Sequence, residues 1–134
     1  MHNRAPMPAR RPLRHWSGTL RGLLLACALA GCGGAENRPP QWSFIAPAII
    51  EPSCATVSCH SAVAQRAGVV LDTRNTAYDT LINRFFVIKF DKDTSELVAL
   101  LRGAGSQRMP PDFPLPEADI ELIERWITAG ASND

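Results

Sequence analysis

Two cysteines and a histidine lie close together in this 134-residue chain, in the pattern Cys54-x4-Cys59-His60. Thiol and imidazole groups bind metals, form disulfides, act in nucleophilic catalysis or attach a cofactor covalently. Met109 is the only methionine after residue 32, and its thioether is a further soft ligand. These four side chains are therefore the candidates for chemistry.

A zinc site and a cysteine nucleophile are both disfavoured. Structural zinc needs about four Cys or His ligands, whereas the chain after residue 32 offers only Cys54, Cys59 and His60. The adjacent residues Cys59 and His60 are poorly placed to bind one ion together. A nucleophilic cysteine usually takes its base from a distant segment, and no second histidine is present after residue 32.

A disulfide and a covalent haem remain as alternatives. A Cys54–Cys59 disulfide explains the thiols but leaves the adjacent histidine and the lone methionine to chance. In c-type haem attachment, two cysteines bond to the porphyrin and the next residue, a histidine, ligates the iron, usually as C-x-x-C-H. The present pattern has two additional residues, so part of the segment 55–58, whose residues are small or medium-sized, must bulge outward.

Met109 is the candidate for the opposite face of the iron. Low-spin electron carriers often pair a histidine with a methionine, which raises the reduction potential. Pro110 and Pro111 favour an extended backbone rather than a helix. Without a helical face, Met109 is less suited to a role in the core than to axial ligation.

The order of the motifs over residues 45–131 resembles the small domains of the planctomycete-type cytochrome c family. The resemblance is carried by Cys54-x4-Cys59-His60, "GVVLDTRNTAYDTLI" (68–82), "DTSELVALLRG" (93–103), "RMPP" (108–111) and "LPEADIELIERWITAGA" (115–131). It implies an all-α, cytochrome c-like fold around one haem c, bound covalently through Cys54 and Cys59. His60 and Met109 would be the axial iron ligands, and the protein would be an electron carrier rather than an enzyme.

The elements that position these residues are predicted to be three to four short helices with long loops. The terminal helix begins near Pro116 and ends near Gly130, with Ile120, Ile123 and Trp126 among the residues of one apolar face. A second helix covers 94–102. Asp93 is predicted to cap it, together with Glu96 as in a capping box.

A shorter helix is predicted over 75–82, and another precedes the cysteine motif. This last helix has Pro47 near its start and is expected to break at Pro52. So small a core usually needs a covalent staple, which the haem would supply.

The segment 84–90, "RFFVIKF", is expected to be an extended loop beneath the haem. Phe85, Phe86 and Trp126 are candidates for the haem wall, although ordinary core packing is an equal alternative for each. Tyr78 and Arg108 are weaker candidates for contacts with the haem propionates.

The front of the chain is predicted to be a lipoprotein signal over 1–31. It carries five arginines and no acid, then the short apolar run "GLLLACALAG" at 22–31. This run is about half the roughly 20 residues of a membrane-spanning helix. Residues 29–32, "LAGC", resemble a lipobox, which implies acylation of Cys32. Residues 32–41 are then the lipidated cysteine and a flexible tether, and 42–134 the haem domain.

This organisation predicts a location on the periplasmic side of a bacterial membrane, held by the lipid anchor. Gly33, a residue other than Asp after the acylated cysteine, favours the outer membrane over the inner.

Charge disfavours nucleic acid as a partner. After Cys32 there are nine Lys and Arg residues against thirteen acids, a formal charge of about −4, with no basic cluster. A redox partner protein with a basic patch is expected instead. The alternative from another class is a haem-free, disulfide-stapled lipoprotein that binds a partner. A small peroxidase or a sensor is also left open.

Overall fold

The computed structural model describes residues 37–134, where four helices are joined by long loops. This part of the chain contains no β-strand, only an isolated antiparallel bridge between Ile88 and Asp91. The all-α prediction is confirmed. Cys32 and the predicted signal over 1–31 lie outside the described residues. Within 37–134, no helix combines the length and apolar character needed to cross a bilayer.

Helix α1 is built from three consecutive helical segments. An α-helical turn, Trp42–Ile45, is followed by a π-helical stretch, Ala46–Ile50, and by a second α-helical turn, Glu51–Cys54. The predicted break at Pro52 is wrong, because this proline occupies a first-turn position of its segment, where its missing N–H costs little. The helix therefore continues to Cys54.

The start of α1 is capped from the far end of the chain. The backbone N–H groups of Trp42 and Ser43 donate to Oδ1 of Asp134, at 2.6 and 3.2 Å. Gln41, at the N-cap position, makes no side-chain cap bond. Asp134 thus satisfies N–H groups that the first turn of a helix leaves without partners.

Helix α2, Arg74–Asn83, agrees with the predicted helix to within one residue at each end. Thr73 lies at its N-cap position, where its Oγ1 accepts a hydrogen bond from the backbone N–H of Thr76 at 3.3 Å. The local sequence therefore contains its own start signal.

Helix α3, Glu96–Arg102, begins two residues later than predicted. The predicted capping box of Asp93 and Glu96 is wrong, since Ser95 is at the N-cap position and makes no side-chain cap bond. Its hydroxyl instead donates to the carbonyl of Asp91 at 2.6 Å and accepts from the N–H of Ile88 at 2.9 Å. Ser95 is buried because it ties the preceding loop together.

Helix α4, Glu117–Thr128, follows Pro116 and ends two residues before the predicted glycine, Gly130. Gly130 has a φ of 106° and donates to the carbonyl of Ile127, while Ala131 donates to that of Trp126, both at 2.9 Å. This pair of bonds is the Schellman arrangement that closes a helix on a left-handed residue.

Three aromatic side chains, Trp42, Tyr78 and Trp126, pack together and are called the aromatic cluster below. The two tryptophan rings stack with centroids 4.8 Å apart, and Tyr78 meets both edge-on. Each polar atom of the cluster has a partner: the indole N–H groups of Trp42 and Trp126 donate to backbone carbonyls at 3.0 Å, and the Tyr78 hydroxyl does so at 2.9 Å. The cluster joins α1, α2 and α4 into one core.

Candidate functional site

A cavity of about 360 Å³ brings together all four of the predicted ligand side chains. We call it the cysteine cavity. Three stretches of chain line it: the end of α1, the loop that follows, and the segment after α3. Its lining residues are Ser53, Cys54, Cys59, His60, Arg66, Ala67, Met109, Pro110 and Pro111.

The widened cysteine spacing is accommodated by an outward loop over residues 55–58. The backbone N–H of His60 donates to the carbonyl of Cys54 at 3.1 Å, which closes the loop at its base. Inside it, the N–H of Cys59 donates to the carbonyl of Thr56 at 2.9 Å. Val57 is 80% exposed. The additional residues are therefore accommodated without breaking the backbone hydrogen bond between His60 and Cys54.

The two thiols are free and lie in different surroundings. Burial, and then the nearby Cys59, raises the pKa of the Cys54 thiol to about 11. Hydrogen bonds from the side chains of Thr56 and Ser58 lower the pKa of the Cys59 thiol. Cys59 is thus the more readily ionised, and hence the more nucleophilic, of the two thiols at neutral pH.

His60 is held by its backbone, but Nδ1 of its imidazole lacks a partner in the described part of the chain. Its carbonyl accepts from the N–H of Leu71 at 2.7 Å, so both backbone groups of His60 are bonded. The side-chain Nδ1 is buried and has no hydrogen-bond partner among the described residues. Buried polar atoms are rarely left so, because each costs free energy, and a bound group is one way to compensate.

Met109 is placed by the end of α3. Its backbone N–H donates to the carbonyl of Leu100 at 2.9 Å, a group that the last turn of a helix leaves available. Gly103 permits this approach. A methyl group at Gly103 would meet the carbonyl oxygens of Ala99 and Leu100 at 3.2 and 3.3 Å, and the Cα of Arg108 at 3.4 Å. The half-buried Met109 side chain therefore depends on a close backbone contact.

Arg108 braces the segment that carries Met109. Its Nη2 donates to the carbonyl of Pro111 at 3.1 Å, and its Nε lies 3.5 Å from the carbonyl of Pro110. The Met109–Pro110 peptide bond is cis. Arg108 thus serves the local backbone and is not among the residues that line the cysteine cavity.

The candidates for the haem wall and for the second propionate contact lie elsewhere. Trp126 belongs to the aromatic cluster, Phe86 packs against the core beside the guanidinium of Arg84, and Phe85 is exposed. The Tyr78 hydroxyl is bound to the carbonyl of Ala131. None of these residues lines the cavity.

Sequence reasoning missed Arg66, the charged residue of the cavity lining. It lies in an irregular loop without periodicity, and only its distance of seven residues from Cys59 was available as a signal.

The residues of the cavity fit a covalently bound haem. Two thiols, an imidazole with an unpartnered nitrogen and a thioether surround one space whose other walls are mainly proline and alanine. Such a lining suits a flat apolar ring with few polar contacts. Within residues 37–134, the cavity included, no group of three or more His, Cys, Asp or Glu side chains is arranged to hold a metal ion.

The comparison with family models agrees with the sequence motifs. Residues 57–112 match the model described as planctomycete cytochrome C. The match contains Cys59, His60 and Met109, begins three residues after Cys54, and is narrower than the resemblance over 45–131. No curated protein and no solved structure matches the chain. The predicted resemblance is confirmed over residues 57–112, which are similar to planctomycete cytochrome C.

Proposed function

We propose that the protein is a monohaem c-type cytochrome that transfers one electron at a time. The observation that carries the proposal is the cysteine cavity, where both thiols, the imidazole of His60 and the thioether of Met109 meet. Cys54 and Cys59 would hold the haem as thioethers, and His60 and Met109 would ligate its iron. The haem supplies the one-electron Fe(III)/Fe(II) chemistry when bound.

The protein's own residues hold and limit this site. The bond between the His60 N–H and the Cys54 carbonyl fixes the attachment points, and the bond between the Met109 N–H and the Leu100 carbonyl fixes the opposite wall. Pro110 and Pro111 make this wall stiff and apolar. A stiff site favours electron transfer, because little has to move when the charge changes.

We further propose that Cys32 anchors the protein by its lipid to the periplasmic side of a bacterial membrane, with the outer membrane favoured. The support is the sequence around residues 22–33 alone. The acidic charge after Cys32 favours a redox partner with a basic patch, whose association rate would fall as salt increases.

One experiment tests the haem. The full chain is expressed in a bacterium that has c-type cytochrome maturation machinery, and the product is examined by haem staining after denaturing electrophoresis and by mass spectrometry. We expect the mass of one haem to be added across Cys54 and Cys59. A Cys54–Cys59 disulfide without added tetrapyrrole would instead establish the haem-free binding module and end the proposal.

Two variants test the remaining parts. Met109→Ala should retain covalent haem but lose the weak long-wavelength absorption band of methionine-ligated ferric haem, whereas a persisting band would exclude Met109 as the ligand.

Cys32→Ser should move the protein from the membrane fraction to the soluble periplasm. Continued membrane retention of Cys32→Ser would reject the lipid anchor.

A further inference from the structure

The cysteine cavity contains one permanently charged side chain among its described lining residues, that of Arg66. Its neighbours in the lining are thiols, a thioether, prolines, alanine, serine and the imidazole. Arg66 is itself exposed to solvent, so its guanidinium lies at the rim of the cavity rather than in its apolar wall. A cationic rim beside a mainly apolar lining suits a ligand that is apolar in its body and carries negative charge at its edge.

The backbone keeps Arg66 beside the attachment site. Its N–H donates to the carbonyl of Cys59 at 3.1 Å, and its carbonyl accepts from the N–H of Val69 at 3.0 Å. The residues on either side, Gln65 and Ala67, have φ values of 45° and 53°. Residues other than glycine rarely adopt this left-handed conformation, which costs free energy and often marks functional sites.

A second arginine holds this loop in place from α2. Nη1 of Arg84 donates to the carbonyl of Gly68 at 2.7 Å and to that of Ala67 at 3.4 Å. The strained conformation around Arg66 is therefore fixed by contacts from outside the loop.

The guanidinium of Arg66 forms no hydrogen bond and no salt bridge within residues 37–134. Arg84, Arg102 and Arg108 bind carbonyl or carboxylate oxygens, whereas Arg125, like Arg66, makes no such bond within these residues. Arg66 is nevertheless close enough to Cys59 to favour its thiolate. Its five donors are thus available at the edge of the cavity.

We propose that Arg66 binds a propionate of the haem, an inference that rests on the proposed function. The propionates are the charged groups of an otherwise apolar macrocycle, and a guanidinium pairs with a carboxylate through two parallel hydrogen bonds. Arg66 is then a positioning residue. It orients the ring from the loop that follows the attachment site and keeps the propionate ionised. Reduced haem carries one more negative charge than oxidised haem, so an unpaired carboxylate nearby disfavours reduction. Pairing with Arg66 offsets part of this repulsion, although an uncharged carboxyl would remove it altogether.

The test compares haem-loaded Arg66→Gln with Arg125→Gln, which removes the same charge from an exposed position on α4. The midpoint potential is measured as a function of pH. In Arg66→Gln, the pH at which the propionate titrates should rise by about one unit or more, because an adjacent arginine lowers a carboxyl pKa by roughly 1 to 3 units. The potential at neutral pH should also fall. Arg125→Gln should reproduce the wild-type profile.

A second measurement covers the case in which Arg66→Gln does not mature. Arg66→Lys keeps the charge but lacks the forked donors, so the propionate bending band in its resonance Raman spectrum should shift from the wild-type position. Profiles of Arg66→Gln that match Arg125→Gln, or an unshifted band in Arg66→Lys, would overturn the assignment. Absence of haem from the wild type would instead reject the proposed function itself.

Discussion

The aromatic cluster and the cysteine cavity differ in how far the protein satisfies its own polar atoms. In the cluster, Trp42 and Trp126 stack, Tyr78 meets both edge-on, and the indole N–H groups and the hydroxyl all have backbone partners. In the cavity, the thiols are free and the buried Nδ1 of His60 has no partner within the described residues.

The contrast extends to the surroundings of the two regions. Near the cavity, Val57 and Val63 are exposed, and the loop around Arg66 contains left-handed residues. Around the cluster, the long α4 helix buries its apolar face and ends in a regular cap. The polar atoms of the aromatic cluster are thus satisfied by the protein's own backbone, whereas the cavity has the features of a ligand-binding site.

The largest effect on stability should come from the cluster. Trp126→Ala removes a fully packed ring and should lower the free energy of unfolding by about 3 to 5 kcal/mol. The matched control is Phe113→Ala near the cavity, where the ring is 81% exposed and the change should stay within about 0.5 kcal/mol. Chemical denaturation measures both. Equal losses would show that the two regions do not differ as described.

Removing the haem should affect the cavity more than the cluster. We expect the double variant Cys54→Ser/Cys59→Ser, which cannot attach haem, to lose hydrogen-exchange protection over 55–68 and 105–114. Amides of α4 should remain protected, because they rest on contacts that the chain makes itself. Exchange mass spectrometry against the haem-loaded wild type reports this directly. A uniform loss of protection would mean that the core also depends on the haem.

A smaller effect is expected from the glycine that brings Met109 to the cavity. Gly103→Ala adds a methyl within 3.4 Å of three backbone atoms, so it should cost about 1 to 3 kcal/mol as overpacking does. It should also weaken the methionine–iron absorption band. Gly105→Ala is the comparison, since its methyl meets nothing within 4 Å and only the positive φ is strained. A stronger loss of the band in Gly105→Ala would assign the effect to loop strain.

The smallest effect should follow from the cap supplied by Asp134. Asp134→Ala leaves the N–H groups of Trp42 and Ser43 without this acceptor and should cost about 1 kcal/mol. Asp134→Asn keeps an acceptor oxygen and should lose less. Comparing the thermal unfolding of the two variants separates the contribution of the hydrogen bond from that of the charge. If both variants melted at the wild-type temperature, the cap would not contribute to stability.

The elements with local signals were predictable from the sequence. The apolar periodicity of Ile120, Ile123 and Trp126, with a glycine beyond it, marks α4, and α2 begins and ends close to the predicted bounds. Cysteine spacing and the lone Met109 indicated the composition of the cavity before the structure showed that these side chains meet.

Other features depend on partners distant in the chain and were not predictable in this way. The hydroxyl of Ser95 serves a loop rather than its own helix, so the expected capping by Asp93 is absent. Asp134 caps a helix 92 residues away. The position of Arg66 at the cavity depends on the path of the loop backbone, which the amino-acid composition does not reveal. The signal peptide and the lipid anchor stay predictions.

Because the loop over residues 55–58 bulges outward, the number of residues between Cys54 and Cys59 does not by itself set the distance between these two attachment residues. The backbone hydrogen bond from His60 to Cys54 closes the loop at its base. The number of residues in the loop can therefore change while this bond is kept. Deleting Val57 and Ser58 would leave Cys-Ala-Thr-Cys-His, and inserting a short reporter peptide there would leave both anchors in register. This loop is therefore a position where an electrode linker or a label can be inserted close to the proposed redox centre.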